Sequence, residues 1–169
     1  MVTSAERVRW ISLIYKVPRT PSAPRIAIWR RLRALGVAQL GDGAAALPED
    51  ARTCEHLEWV ADQVIEAGGT ALLLRSEALS AADERTMASA MAAARAEEYQ
   101  RLVLRATEAI AGDAPERALI RLRRELRRVQ RRDYFPPAER EAAVAALAAL
   151  AVVVRESPVG DEAQRKLSS

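Results

Sequence analysis

The sequence of 169 residues contains few of the side chains that most metal and redox sites require. It has one cysteine, Cys54, and one histidine, His56. A single thiol cannot form an internal disulfide, and this pair is too small to build a thiolate or imidazole cage for zinc, haem or an iron–sulfur cluster. We therefore expect no metal and no cofactor.

Long apolar runs are also absent. No run approaches the roughly 20 residues of a membrane span, and the first nine residues lack the apolar segment of a signal peptide. These absences predict a cytoplasmic protein that does not associate with membranes.

The sequence also lacks the common catalytic motifs. It contains no phosphate-binding glycine loop, no Gly-x-Ser-x-Gly and no His-Glu-x-x-His. Cys54 and His56 lie at the start of a predicted helix, where a thiol pKa can be lowered, but no third group is evident to orient them. We predict that the chain is not an enzyme and has no catalytic residues.

Aromatic residues make up only 4% of the chain, whereas alanine occupies 35 positions. Alanine favours helix over strand, and its methyl group contributes little to a core. Because half of the residues are hydrophobic, a disordered chain is excluded. The composition predicts a helix-rich protein of one domain with an appendage, or of two small domains.

Acidic residues are nearly missing from two segments. The net charge is only +3, but residues 7–33 carry eight cations and no acid, and residues 115–132 carry eight arginines and two acids. The rest of the chain has a net charge of −11. This segregation predicts a polyanion partner, or opposite charges matched across a subunit contact.

Periodicity and turn signals predict six elements in the first 79 residues. In order, they are a strand over 8–17, a helix over 22–35, two short strands within 37–47, a helix from about 53 to 67 and a strand over 71–74. Ser22 is predicted to cap the first helix and Gly36 to end it, while Asp50 or Thr53 caps the second. The order predicts a ferredoxin-like βαββαβ domain over residues 1–79, with two helices on one sheet face.

Residues 80–169 show no strand-like alternation and are predicted to be helical. A long helix over 81–111, with a break near Glu97 as one option, is followed by an arginine-rich helix over 115–132 and a third helix to about 156. The third helix is predicted to pack antiparallel on the second through Val144, Leu147, Ala151 and Val154, and the last dozen residues are predicted to fray. The fold class is therefore α+β: a ferredoxin-like domain, then an all-helical region of one long helix plus a helical hairpin.

The segment between the last two helices contains Tyr134 and Phe135, followed by two prolines. Aromatic side chains can stack on nucleic-acid bases, but at this position they are predicted to fill the corner of the helical hairpin.

The predicted helix over 115–132 separates its apolar and charged residues. At 100° per residue, four apolar residues lie within about 80°: Leu119, Leu122, Leu126 and Val129. Six arginines lie within about 120° at the opposite pole: Arg117, Arg121, Arg124, Arg128, Arg131 and Arg132. This face suits the phosphates of a nucleic acid, but it also fits a solvated face paired with acids such as Glu97 and Glu98, or a subunit interface. Ile120, on the arginine side, favours a contact surface.

Several stretches, in this order, resemble one known family. They are WISLIYKVP at 10–18, WRRLRALG at 29–36, LP at 47–48, residues 53–60 and RRDYFP at 131–136. Their succession from Arg9 to Leu150 resembles the N-terminal domain of the chromate-resistance regulatory protein ChrB. More distantly, the first 75 residues resemble the ferredoxin-like domain of PaaX-type repressors.

The resemblance implies a bacterial cytoplasmic protein that regulates chromate-resistance genes in response to chromate, with this domain in contact with DNA. Long members of the family continue into a second domain, whereas this chain ends at Ser169. We therefore expect either a fragment or a stand-alone N-terminal half that works with a partner protein carrying the C-terminal domain.

The leading hypothesis is a transcriptional regulator, dimeric, that holds duplex DNA through arginine-rich surfaces. The predicted DNA-binding residues are Arg25, Arg30, Arg31, Arg33, Arg117, Arg121, Arg124, Arg128 and Arg131. The alternative is a non-enzymatic binding module that holds an acidic partner protein or an oxyanion such as chromate or sulfate.

Overall fold

The computed structural model describes residues 7–156, which form four strands and five helices. The elements are β1 (Arg9–Lys16), α1 (Ser22–Leu35), β2 (Ala38–Gly41), β3 (Ala44–Pro48), α2 (Ala51–Glu66), β4 (Thr70–Glu77), α3 (Ala81–Ile110), α4 (Pro115–Gln130) and α5 (Glu139–Glu156). The predicted α+β class is confirmed. The fraying predicted for the last dozen residues lies outside the described part of the chain.

The four strands form one antiparallel sheet in the order β2-β3-β1-β4, which is compatible with a ferredoxin-like arrangement. The central strand β1 pairs with β3 on one edge and with β4 along all eight of its residues on the other. β4 is therefore longer than the predicted strand over 71–74. Pairing with β1 extends β4 through Arg75, Ser76 and Glu77, whose polar side chains give little strand signal of their own.

Local signals set the ends of the two helices that follow β1 and β3. Pro21, not Ser22, precedes the first turn of α1, so the prediction that Ser22 caps this helix is wrong. Gly36 ends α1 in the left-handed conformation, at φ 73°. At the start of α2, the Asp50 carboxylate accepts a hydrogen bond from the Thr53 amide at 2.7 Å, and the Thr53 hydroxyl accepts one from the Asp50 amide at 2.9 Å. This reciprocal cap confirms Asp50 as the N-cap.

The chain divides into two compact units. The first consists of the chain up to Ala92 together with Arg132–Phe135, and the second consists of Ala93–Arg131 and the chain from Pro136 onward. The division falls inside α3, whereas the change in sequence character lies at residue 79.

The core of the first unit lies between the sheet and its helices. α2 packs on β1 and β4, and α1 packs beside α2. Leu13 of β1, Leu47 of β3 and Leu57 of α2 are completely buried there, as are Val60 and Val64. This arrangement matches the expected helical cover on one sheet face.

The other sheet face is also covered at one end. Trp10, which alternation places opposite Leu13, is 1% exposed, and its ring centroid lies 5.9 Å from that of Phe135. The Arg52 guanidinium lies 5.7 Å from the Tyr134 ring centroid. The prediction that Tyr134 and Phe135 fill the hairpin corner is therefore wrong. These rings belong to the first unit, where Phe135 packs against the Trp10 indole.

The second unit contains the part of α3 from Ala93 onward together with α4 and α5. α3 runs without a break near Glu97, and α4 packs on α5. The core consists of Tyr99, Leu102 and Ala106 from α3, Leu119, Leu122 and Val129 from α4, and Ala143, Leu147 and Leu150 from α5. Within residues 7–156, no helix is both long and apolar enough to cross a bilayer.

The predicted packing stripe of α5 is wrong at Val144, which is 45% exposed, while Ala143 is buried. Ala143, Leu147 and Leu150 follow i, i+4, i+7 spacing. The helix is so rich in alanine that its periodicity is compatible with two neighbouring stripes.

The central strand offers a matched pair of substitutions. Leu13→Ala removes a completely buried side chain, so we expect the free energy of unfolding to fall by about 2–5 kcal/mol. Ile14→Ala, one residue later in β1, removes a side chain that is 49% exposed and is expected to cost much less. Urea denaturation of both variants measures the difference, and equal losses would contradict the assigned orientation of β1.

Candidate functional site

Helix α4 has the clearest segregation of charge among the described elements. It buries Leu119, Leu122 and Val129 and exposes its arginines to solvent. Glu116 lies in the first turn, and Arg127 and Arg128 lie in the last, so both ends suit the helix dipole. The buried leucines and valine thus fix the direction in which the guanidinium groups point.

Four arginines form a stripe along α4, which we call the arginine face: Arg117, Arg121, Arg124 and Arg128. At 100° per residue they lie within about 60°, and they extend over about 16 Å. All four are exposed, and none makes an ion pair with a carboxylate in residues 7–156. Ile120, 55% exposed, lies beside them.

Three acids of α3 and α4 pair with arginines outside the arginine face. Glu125, one of the two acids of α4, accepts a hydrogen bond at 2.6 Å from Arg105 of α3. Glu98 pairs with Arg95 at 2.7 Å, and Glu97 lies 4.0 Å from Arg101, both within α3. The arginine face therefore keeps its positive charge.

Arg131 and Arg132 lie beyond the last residue of α4, so the predicted helix over 115–132 is two residues too long. Arg131 is the C-cap, in right-handed helical conformation, and it is exposed. Arg132 is half-buried and donates a hydrogen bond to the Ala34 carbonyl at 3.3 Å. The helix ends here because the next four residues, Arg132–Phe135, pack in the first unit.

The arginines of α1 are all exposed but point in different directions. Arg25 and Arg33 flank Trp29, and the Arg33 guanidinium lies 4.9 Å from the Trp29 ring centroid. Arg25 and Trp29 line a cleft of about 510 Å³ at the β2–β3 hairpin, together with Tyr15, Lys16, Val17, Gln39, Asp42 and Gly43. Burial raises the pKa of the Tyr15 phenol, an effect opposed by a hydrogen bond with Gln39 and reinforced by Asp42.

The other two arginines of α1 lie on further flanks. Arg30 points away from the buried Ile28, while Arg31 lines a groove that also contains Glu66 of α2. The four predicted residues of α1 therefore do not form one face. The structure brings Arg117, Arg121, Arg124 and Arg128 together in the second unit, with Arg131 at the helix end.

An acidic face on α2 was not predicted. Glu55, Glu58, Asp62 and Glu66 surround Trp59, which is 58% exposed, and all five lie within about 100° on the side opposite Leu57. A helical wheel of α2 reveals this face, whereas a net charge of −11 summed over the rest of the chain carries no position.

The environment of Cys54 does not favour a nucleophilic thiolate. Burial raises its pKa, the Glu49 carboxylate adds to the effect, and Arg75 opposes it. These effects outweigh the lowering of the thiol pKa that the N-terminus of α2 would cause. In the described part of the chain, no three His, Cys, Asp or Glu side chains lie close enough to hold a metal ion.

Comparisons with known proteins identify the family. A family model described as "Protein ChrB, N-terminal" matches residues 25–110. Protein ChrB of Cupriavidus metallidurans is 28% identical over 140 residues, which cover 79% of this chain and 42% of that protein. No solved structure matches the chain.

The structure thus defines the class of protein: an α+β domain followed by a helical region that contains an arginine-rich helix. The chain belongs to the family of ChrB N-terminal domains, which is associated with chromate resistance, and the resemblance seen in the sequence motifs is confirmed. The matched region is less than half of the curated relative's length.

The Cys54 environment gives a test by pH. Because the pKa of the folded thiol is raised, less thiolate is present at any pH below it, and we expect alkylation by iodoacetamide to be slow and to reach half its maximal rate above the ordinary thiol pKa of 9.0. Glu49→Gln should lower that midpoint, and unfolding in urea should restore the ordinary one. A midpoint below 9.0 in the folded protein would show an activated thiol instead.

Proposed function

We propose that this domain binds duplex DNA through the arginine face of α4 and that it is the DNA-contacting part of a chromate-resistance regulator. The observation that carries the proposal is the row of Arg117, Arg121, Arg124 and Arg128, exposed and without carboxylate partners in residues 7–156. Membership of the ChrB N-terminal family supports the regulatory role.

The dimensions of the arginine face suit a nucleic-acid backbone. Its length of about 16 Å corresponds to roughly five base pairs at 3.4 Å each. Guanidinium groups donate in pairs to phosphate oxygens, so four of them can neutralise about four phosphates. Counterion release then gives a slope of about −3.6 in a plot of log K against log salt, or a loss of roughly 100-fold between 50 and 200 mM salt.

This contact carries no sequence information by itself, because phosphates are the same at every base pair. Selectivity for an operator would come from side chains that reach base edges or from a second copy that fixes the spacing of two half-sites. The response to chromate would come from this chain or from a partner protein that carries the C-terminal region of the family. No enzymatic step is part of the proposal, since no nucleophile–base pair supports one.

An acidic protein is the second candidate partner, and one observation favours it. Ile120 is 55% exposed beside the arginine face, and an apolar side chain amid cations gives a protein partner something to bury. A single oxyanion fits less well, because it needs a few converging donors rather than an open row along a convex helix.

Charge reversal on α4 tests the proposal. Arg124→Glu/Arg128→Glu removes two phosphate contacts and adds repulsion, so we expect affinity for duplex DNA at 50 mM salt to fall about 30-fold or more and the salt slope to fall by about 2. Fluorescence anisotropy with the duplex upstream of the chain's own gene, and with a scrambled duplex, measures both quantities.

The matched control is Arg85→Glu/Arg155→Glu, which makes the same change of charge at two exposed arginines of α3 and α5. Both double variants should melt within a few degrees of the parent protein, because the substituted side chains are exposed. The proposal would be contradicted if both double variants lost DNA affinity equally, or if the parent protein did not bind duplex DNA at 50 mM salt. If chromate releases only the upstream duplex, the chain itself responds to chromate.

A further inference from the structure

Helices α1 and α2, which we call the helical layer, have outward faces of opposite charge. α1 carries four exposed arginines and no acid, while α2 presents Glu55, Glu58, Asp62 and Glu66. Within residues 7–156, none of these guanidinium groups or carboxylates makes an ion pair. Each helix therefore presents a charge that no ion pair within the described residues neutralises.

Each face also exposes large apolar side chains. Trp29 and Ile26 of α1 are 50% and 43% exposed, and Trp59 and Ile65 of α2 are 58% and 55% exposed. Tryptophan surrounded by charged residues is typical of contact surfaces, where the ring is buried and the charges form the rim. The helical layer thus has both the anchors and the rim of an interface.

The two helices lie side by side and run in opposite directions. A groove between them of about 410 Å³ is lined by Pro24, Ala27, Ile28 and Arg31 from the first part of α1 and by Gln63, Glu66 and Ala67 from the end of α2. A two-fold axis that runs between the helices, parallel to them and in the plane of contact, places α1 of one copy over α2 of the other. Such a rotation involves no shift along the axis, so Arg30 of one copy faces the turn that carries Glu58 and Asp62 of the other.

We infer that the helical layer is a self-association surface and that its partner is a second copy of this chain. The two-fold arrangement forms the contact between α1 and α2 twice, as an interface between identical surfaces requires. The opposite arrangement, α1 on α1 and α2 on α2, would bring like charges together and is excluded by repulsion.

The size of the helical layer is that of a small interface. Helices of 14 and 16 residues are about 21 and 24 Å long, and two of them side by side are about 20 Å wide. The contact is therefore roughly 500 Å² per copy, below the ~800 Å² of a standard interface. We expect a weak dimer, with a dissociation constant on the order of 10 μM, that is weakened further by salt.

Two variants with reversed charge test the geometry. Glu58→Arg/Asp62→Arg places arginines on α2 where they face Arg30 of the other copy, and Arg30→Glu/Arg33→Glu places glutamates on α1 where they face Glu58 and Asp62. Each variant alone should be monomeric at concentrations where the parent chain dimerises, with the dissociation constant raised about tenfold or more. Sedimentation equilibrium at 10–300 μM measures the mass, and circular dichroism verifies that each variant is folded.

The mixture of the two variants is the decisive experiment. Because each variant then meets the opposite charge at both contacts, an equimolar mixture should recover a heterodimer with about the parent affinity. A chain with unfolded helices could not give this recovery. The control Glu108→Arg/Asp113→Arg, which reverses two exposed acids of the second unit, should leave the parent dimerisation unchanged.

Three outcomes would overturn the inference: a parent chain that is monomeric up to 300 μM in 50 mM salt, variants that dimerise like the parent, or a mixture that remains monomeric. The inference is independent of DNA binding through α4. Arg124→Glu/Arg128→Glu should leave the dimer intact, so failure of one proposal is distinguishable from failure of the other.

Discussion

The pairing of β1 on both of its edges is the constraint on which the first unit depends. This strand lies between β3 and β4, so without it the β2–β3 hairpin and β4 would have no strand in common with which to pair. Its alternating side chains also serve both faces, with Leu13 under the helices and Trp10 under Phe135. The position of α1 and α2, and with it the direction of their charges, follows from this central strand.

Signals that span a few residues predicted most of the elements. The alternation in β1, the glycine after α1 and the Asp50 cap of α2 act locally, so the sequence reveals them without knowledge of the fold. The contact between Trp10 and Phe135 joins residues far apart in the chain and has no local signal. The end of α4 at Gln130 has no local signal either, because it depends on where the residues after the helix pack.

The candidate site was predictable to the extent that charge follows helical periodicity. On α4 the apolar seam and the arginines lie on opposite sides, so a wheel alone assigns Arg121, Arg124 and Arg128 to one face. On α1 an equally basic segment has its arginines on several flanks, which a count of charge cannot show. The acidic face of α2 was concealed in the same way, because a net charge summed over many residues has no direction.

The first unit is built from two separated parts of the chain, and this has a consequence for its folding during synthesis. The sheet is complete in sequence at Glu77, but Phe135, which covers Trp10, is added only later. At 5–20 residues per second, the ribosome requires roughly 3–12 s to reach it. During this interval Trp10 lacks its contact with Phe135, and the packing of this sheet face is completed by a segment that arrives after α3 and α4.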